Sequence, residues 1–199
     1  MEFKYQYNKT ALYELKGQLA LRISALPILK NKETALRQEV KNSLDQIRQL
    51  KKELEELMVE QKRYEKFWQK FPDVVRIDTI TYDSKKIVGV KVPVINDIQF
   101  TIGEISWFEH KSCVPSGIFM LENILQKRIK IKVAERQFQI LYSARKKTTQ
   151  KVNLYEKVQI PMLETAILKI KRFLEDEENI SKAAQKIVKN RNLAKGISV

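Results

Sequence analysis

Residues that interrupt regular structure are scarce in this chain, with five glycines and five prolines among 199 residues. So little loop-forming material leaves room for very long elements and favours helix over strand. One cysteine, Cys113, excludes an internal disulfide and any zinc site built from cysteines of a single chain. It reads as a small packed or partly exposed residue. His110 is the single histidine, and no nucleophile motif lies near it, so it reads as an ordinary loop residue. No glycine-rich phosphate loop of the Walker type occurs, so the chain is expected to bind no ATP by itself and to carry no cofactor. Uninterrupted apolar runs of eighteen residues are missing as well, and the first residues, MEFKYQYNKT, lack the apolar core of a signal peptide. The expectation is a cytoplasmic protein that meets a membrane only through partners.

Charge and apolar residues are plentiful. Hydrophobic residues make up 43% and charged residues 31%, a balance that fits neither a membrane span nor a disordered tail. The net charge of +14 is spread unevenly. Residues 1–70 carry 15 basic and 10 acidic side chains, residues 71–120 carry 5 and 6, and residues 121–199 carry 18 and 8. Basic flanks of this kind suit an acidic protein partner, an anionic membrane face or nucleic acid, and charge alone does not choose among them.

Steps of four and three from Leu36 visit Val40, Ser43, Ile47, Leu50, Leu54, Leu57, Gln61, Tyr64, Trp68 and Phe71, with Lys, Arg, Glu and Gln filling the positions between. That is the seam of a coiled coil. Upstream the spacing continues through Leu12, Leu15, Leu19, Ile23, Leu26 and Leu29. Asn8 or Thr10 caps the start, and Pro72 helps to end it. A single helix from Thr10 to Phe71 would measure about 93 Å, whereas a compact globule of this chain length has a radius of gyration of about 16 Å. Such a helix is expected to project as a rod.

The centre changes character. VVRIDTITY (Val74 to Tyr82) and IVGVKVPVI (Ile87 to Ile95) alternate and are rich in β-branched residues, with DSKK (Asp83 to Lys86) as the turn, so a β-hairpin is expected. Pro93 late in the second run suits an edge. The stretch from Asn96 to Gly117 reads as loop with short local structure, in which Trp107 and Phe108 pack the hairpin region. From Ile118 helical spacing returns, with Leu121, Ile124, Phe138, Leu141, Val152, Tyr155, Leu163, Ile167, Ile170, Leu174, Ile180, Ala184 and Ile187 as seam positions. RIKIKV (Arg128 to Val133) alternates like a strand, but its helical flanks favour helix. Gly196 fits a chain end just past the last turn.

The fold class expected is mainly α: two long helices, N- and C-terminal, in an antiparallel coiled coil, with a small central β-hairpin. The divisions are residues 8–71, 72–117 and 118–195. Folding the two stripes together about a turnaround between Phe71 and Gly117 sets Pro27 opposite Pro161, so both helices are expected to bend or loosen at one height.

Several stretches resemble the D subunit of V-type ATPases, the central rotor shaft. LKGQLALRISALPILKNKETAL (Leu15 to Leu36) is similar to that family's amino-terminal leucines followed by Leu-Leu-Lys-x-Lys, with Ile28, Leu29, Lys30 and Lys32 in those places. GVKVP (Gly89 to Pro93) resembles its Gly-Val-x-Val-Pro element. The most specific likeness is TTQKVNLYEKVQIPMLETAILKIKRFLEDEE, where Thr148, Val152, Asn153, Glu156, Ile160 and Pro161 match. Gln150 and Lys151 stand where the family has two arginines.

The resemblance implies a non-catalytic shaft whose paired termini enter a hexameric head of A- and B-type subunits and whose hairpin end faces the membrane rotor. The F subunit of the stalk and a socket subunit of C or d type are the implied partners, in a hetero-oligomer with no direct contact to nucleic acid. Pro27, Lys30, Lys32, Lys151, Asn153, Glu156 and Pro161 are then candidate head contacts, and Gly89, Val90, Val92 and Pro93 candidate contacts at the hairpin end. Arg145, Lys146 and Lys147 share the basic character of the first set, which also suits a plain solvated face. The acidic run Glu175 to Glu178 reads as solubilising surface. The competing reading is a basic coiled coil that binds nucleic acid or tethers partners; no recognition-helix, zinc-finger or RNP signature supports it.

Overall fold

The computed structural model describes residues 5–69, 71–103 and 114–194. Cys113, His110, Trp107, Phe108 and Gly196 lie outside the described residues. The order of elements is α1 (Lys9–Lys62), α2 (Glu65–Trp68), β1 (Val75–Ile87), β2 (Val90–Ile102), α3 (Val114–Leu154), a π turn (Tyr155–Gln159) and α4 (Ile160–Ala194). Contacts divide the chain into two compact units, residues 32–148 and residues 1–31 with 149–199.

Asn8 caps α1, its Oδ1 accepting from the Ala11 N–H at 2.7 Å. The helix runs 54 residues and keeps its helical state through Pro27. It stops at Lys62, well short of Pro72, where Arg63 and Tyr64 N–H groups turn back to Glu60 and Gln61 carbonyls. Beyond that point the aromatic residues leave the seam and pack on one another: Phe67, Trp68 and Phe71 lie with ring centroids 5.1 to 5.3 Å apart. A methyl group on Gly117 would overlap Phe71 and come within 3.0 Å of Phe67, so the cluster closes directly on this glycine.

In the unit of residues 32–148, α1 and α3 run antiparallel. Glu33 pairs with Arg145, Lys51 with Glu135, and Glu53 with Lys127, so rising numbers on one helix meet falling numbers on the other. Leu36, Val40 and Leu141 are buried between them with Val92 of the hairpin. Ser43, one step further along the seam, is also buried, and its Oγ finds no partner among the described residues. RIKIKV is helical as expected, and the structure explains its alternation. Ile129, Ile131, Val133 and Ala134 are all buried, an arc wider than one neighbour can cover. α3 meets α1 through the ion pairs above and the hairpin at Gln137, whose Nε2 donates to the Pro93 carbonyl at 2.6 Å.

The hairpin differs from expectation in length and turn. Its strands have 13 residues each, and Ile87 pairs with Val90 so that Val88 and Gly89 form the turn. DSKK lies inside β1, and residues 96–102, expected as loop, complete β2. The two-residue turn needs positive φ at both positions, here 49° at Val88 and 77° at Gly89. Glycine adopts that readily, while a β-branched residue there is strained by about 1 kcal/mol or more. Pro93 stands opposite Ser84 in a two-stranded sheet, where every strand is an edge, so its missing N–H leaves no inner ladder broken. α3 starts at Val114, with Pro115 in the first turn, where its missing donor has no helical partner to lose.

In the other unit, Leu15 packs with Leu163, Ala166, Ile167 and Ile170, flanked by Leu12, Leu19 and Leu174. Ile170 has no exposed surface, and burying such a side chain contributes about 1.5 to 3 kcal/mol. Tyr7 closes the end of this pair against Phe173, with ring centroids 5.0 Å apart. Four seam expectations fail here. Ile23 on α1 is exposed, and so are Ile180, Ala184 and Ile187 on α4, which lie past the packed cluster that ends at Leu174. Tyr64 is exposed as well, standing past the end of α1.

Candidate partner-binding surfaces

Pro161 has no N–H, so it cannot bond to the carbonyl of Lys157 as an α-helical residue would. The chain answers one turn earlier by winding Tyr155–Gln159 as a π turn, in which the Ile160 N–H bonds to the Tyr155 carbonyl. Three residues of this turn reach α1. Lys30 Nζ lies 2.6 Å from Glu156 Oε1, the Arg22 Nε donates to Gln159 Oε1 at 2.7 Å, and the Arg22 guanidinium lies over the Tyr155 ring, 6.0 Å from its centroid. Pro27 sits between Arg22 and Lys30 on α1, so its counterpart is the π turn. The expected facing of Pro27 with Pro161 is therefore shifted by part of a turn, and the loosened winding lies in one helix only, since α1 stays α-helical there.

The structure thus joins two candidates, Lys30 and Glu156, as an ion pair of half-exposed side chains. Pro27, Lys151, Asn153 and Pro161 are exposed. Lys32 belongs to the other unit and stands by the hairpin turn: a Cβ added to Gly89 would lie 3.9 Å from its Nζ. Gly89 is exposed, Val90 and Pro93 are half-buried, and Val92 is 1% exposed, so Val92 is occupied in packing. Arg145 pairs with Glu33 at 3.7 Å, while Lys146 and Lys147 are exposed.

Glu178 of the acidic run accepts from Lys182 at 2.7 Å, and that hydrogen bond, with the lysine charge, holds its carboxyl below the ordinary carboxylate range. Among the described residues no group of three or more His, Cys, Asp or Glu converges as a metal site would require. No helix among them is long and apolar enough to cross a membrane.

Large apolar side chains lie open in the unit of residues 1–31 and 149–199, a feature that seam spacing does not reveal. Tyr13, Leu21 and Ile28 recur on α1 at 73, 67 and 69% exposure. On α4, Ile180 and Leu193 are 70 and 68% exposed, with Ile187 and Val188 between them and Lys182, Lys186, Lys189 and Arg191 interspersed. Apolar spacing alone could not separate these residues from a seam, because an unpartnered stripe and a buried one have the same period.

A family model for the D subunit of ATP synthase matches residues 11–190, a span that takes in nearly all of α1, the hairpin, α3 and nearly all of α4. The chain belongs to the family of ATP synthase D subunits. A curated relative, the D subunit of the V-type ATP synthase of Borreliella burgdorferi, is 29% identical over 126 residues, which is 62% of this chain and 62% of the relative. The resemblance read from Leu15 to Leu36, from Gly89 to Pro93 and from Thr148 to Glu178 therefore identified the family. Each of those stretches falls inside the matched span.

Proposed function

We propose that this member of the D-subunit family is a non-catalytic central-stalk component of a rotary V-type ATPase or ATP synthase. It transmits torque between the catalytic head and the membrane rotor ring and so couples ATP hydrolysis or synthesis to ion transport. The family match over residues 11–190 carries this reading. The name of the Borreliella burgdorferi relative points the same way. Its partners are the A- and B-type head subunits, the F subunit of the stalk and a socket subunit of C or d type, in a complex peripheral to the membrane on the cytoplasmic side.

The physical argument is mechanical. A rotor element works by being asymmetric and by holding its partners without locking to any one of them. Exposed apolar residues at the open end of α4 offer area for a close fit, and the lysines between them offer weak attraction, since exposed ion pairs contribute about 0 to 1 kcal/mol each. Pro27, Lys30, Lys32, Lys151, Asn153, Glu156 and Pro161 are the proposed head contacts, and Gly89, Val90 and Pro93 the proposed contacts to other stalk subunits. Val92 supports that second set from within the fold.

Affinity purification of the tagged full chain from its native cells, with identification of what accompanies it, tests the proposal. ATPase head subunits in fixed stoichiometry are expected, retained at moderate salt. Recovery of nucleic acid alone, lost steeply as salt rises, would replace this reading with that of a basic coiled coil.

A further inference from the structure

Val88 is the one described non-glycine residue with positive φ, and it is β-branched. A two-residue turn of this geometry favours Asn-Gly or Gly-Gly, so a valine here opposes the turn's own preference. What offsets the strain is tertiary. Ile87, Val88 and Val90 pack onto the seam formed by Leu36, Val40, Val92 and Leu141, together with Phe138 and Ile140. The Gln137 bond to the Pro93 carbonyl fastens the same end.

The hairpin is fastened a second time at its base, where Val74 packs with Val114 and Ile118. Between the two attachments β1 is open to solvent, with Asp78, Thr79, Thr81, Tyr82, Asp83 and Ser84 exposed, while Pro93, Val94, Ile95, Ile98 and Phe100 of β2 are half-buried. The pairing register also shifts twice there, between Ile77 and Thr79 and between Thr81 and Tyr82. Such irregularities bend a ribbon locally. The tip is thus strained, held by side-chain packing and set on an irregular middle, while the base is packed separately.

We propose that the hairpin tip is a releasable latch. In the docked state Val88 holds left-handed backbone and fills the seam between α1 and α3. In the released state the tip leaves the seam, Val88 returns to negative φ, and Leu36, Val40 and Leu141 lose their cover. The base at Val74, Val114 and Ile118 stays anchored throughout. This device does not rest on the function proposed above, although its tip includes Gly89 and Val90 of the proposed stalk contacts.

Methyl relaxation dispersion on the full chain tests it. Exchange is expected at Leu36, Val88, Val90, Val92 and Leu141 and not at Val74, Val114 and Ile118. Val88→Ala keeps a Cβ in the left-handed turn but removes two methyl groups from the seam, and should raise the released fraction about tenfold. Val88→Asn suits the turn, so cross-strand contacts between Ile87 and Val90 should persist while those from the tip to Leu36 and Leu141 weaken, which separates release from fraying. An absence of exchange in the wild-type protein, a Val88→Ala population equal to wild type, or exchange of equal extent at the base would each overturn the proposal.

Discussion

Single residues show most plainly which interactions act in this fold. Glu53 reads in sequence as an ordinary polar position between seam residues, yet it meets Lys127 across the helix pair. The lysine's hydrogen bond, and then its charge, hold the Glu53 carboxyl below its ordinary value of 4.5. A carboxylate whose pKa falls on folding stabilises the folded state above its unfolded value, and that stabilisation disappears as pH drops through the lowered value. Glu53→Gln should therefore melt below wild type at neutral pH. The two melting temperatures should converge as pH is taken from 4.5 downward, and a constant gap would show that the pair's charge is not responsible. The partner could not be read from sequence, because a glutamate on a helix face shows nothing of what lies opposite. Asn8 was legible, since an N-cap depends only on the residues that follow it.

At the level of elements, long periodic runs are legible and their interruptions less so. The helices follow from spacing, but Pro161 acts one turn upstream of itself, through the π turn at Tyr155–Gln159. Such a turn is a helix holding one extra residue. Deleting Lys157 in a Pro161→Ala background should therefore restore plain α-helix while leaving Val152 and Leu163 on the seam. Unfolding stability should stay within about 1 kcal/mol of Pro161→Ala alone, while deleting Ala144 from the regular part of α3 should cost about 2 to 5 kcal/mol by turning buried residues outward. Equal losses from the two deletions, in denaturant unfolding, would contradict this account. The hairpin turn departs from expectation for a related reason: DSKK has turn-forming residues, while Val88 and Gly89 form the turn because tertiary packing outweighs the preference of valine.

For the molecule as a whole, the question is which apolar surface belongs to the fold and which to partners. Ile180, Ile187 and Leu193 bury little within the chain. A chain ending at Asn179 should keep its unfolding free energy within about 1 kcal/mol, yet recover head subunits at least about tenfold less well in the affinity experiment. A large loss of stability would mean that this end of α4 serves the fold instead. Helix, hairpin and family were determined by the sequence itself, because the spacing of apolar residues, the density of β-branched residues and the matched stretches are all local along the chain. Tertiary structure alone decided that Ile129, Ile131 and Val133 are all buried, that Val88 takes the turn, and that Ile180 is left open. Burial depends on what lies opposite, and no residue encodes its neighbour across the fold.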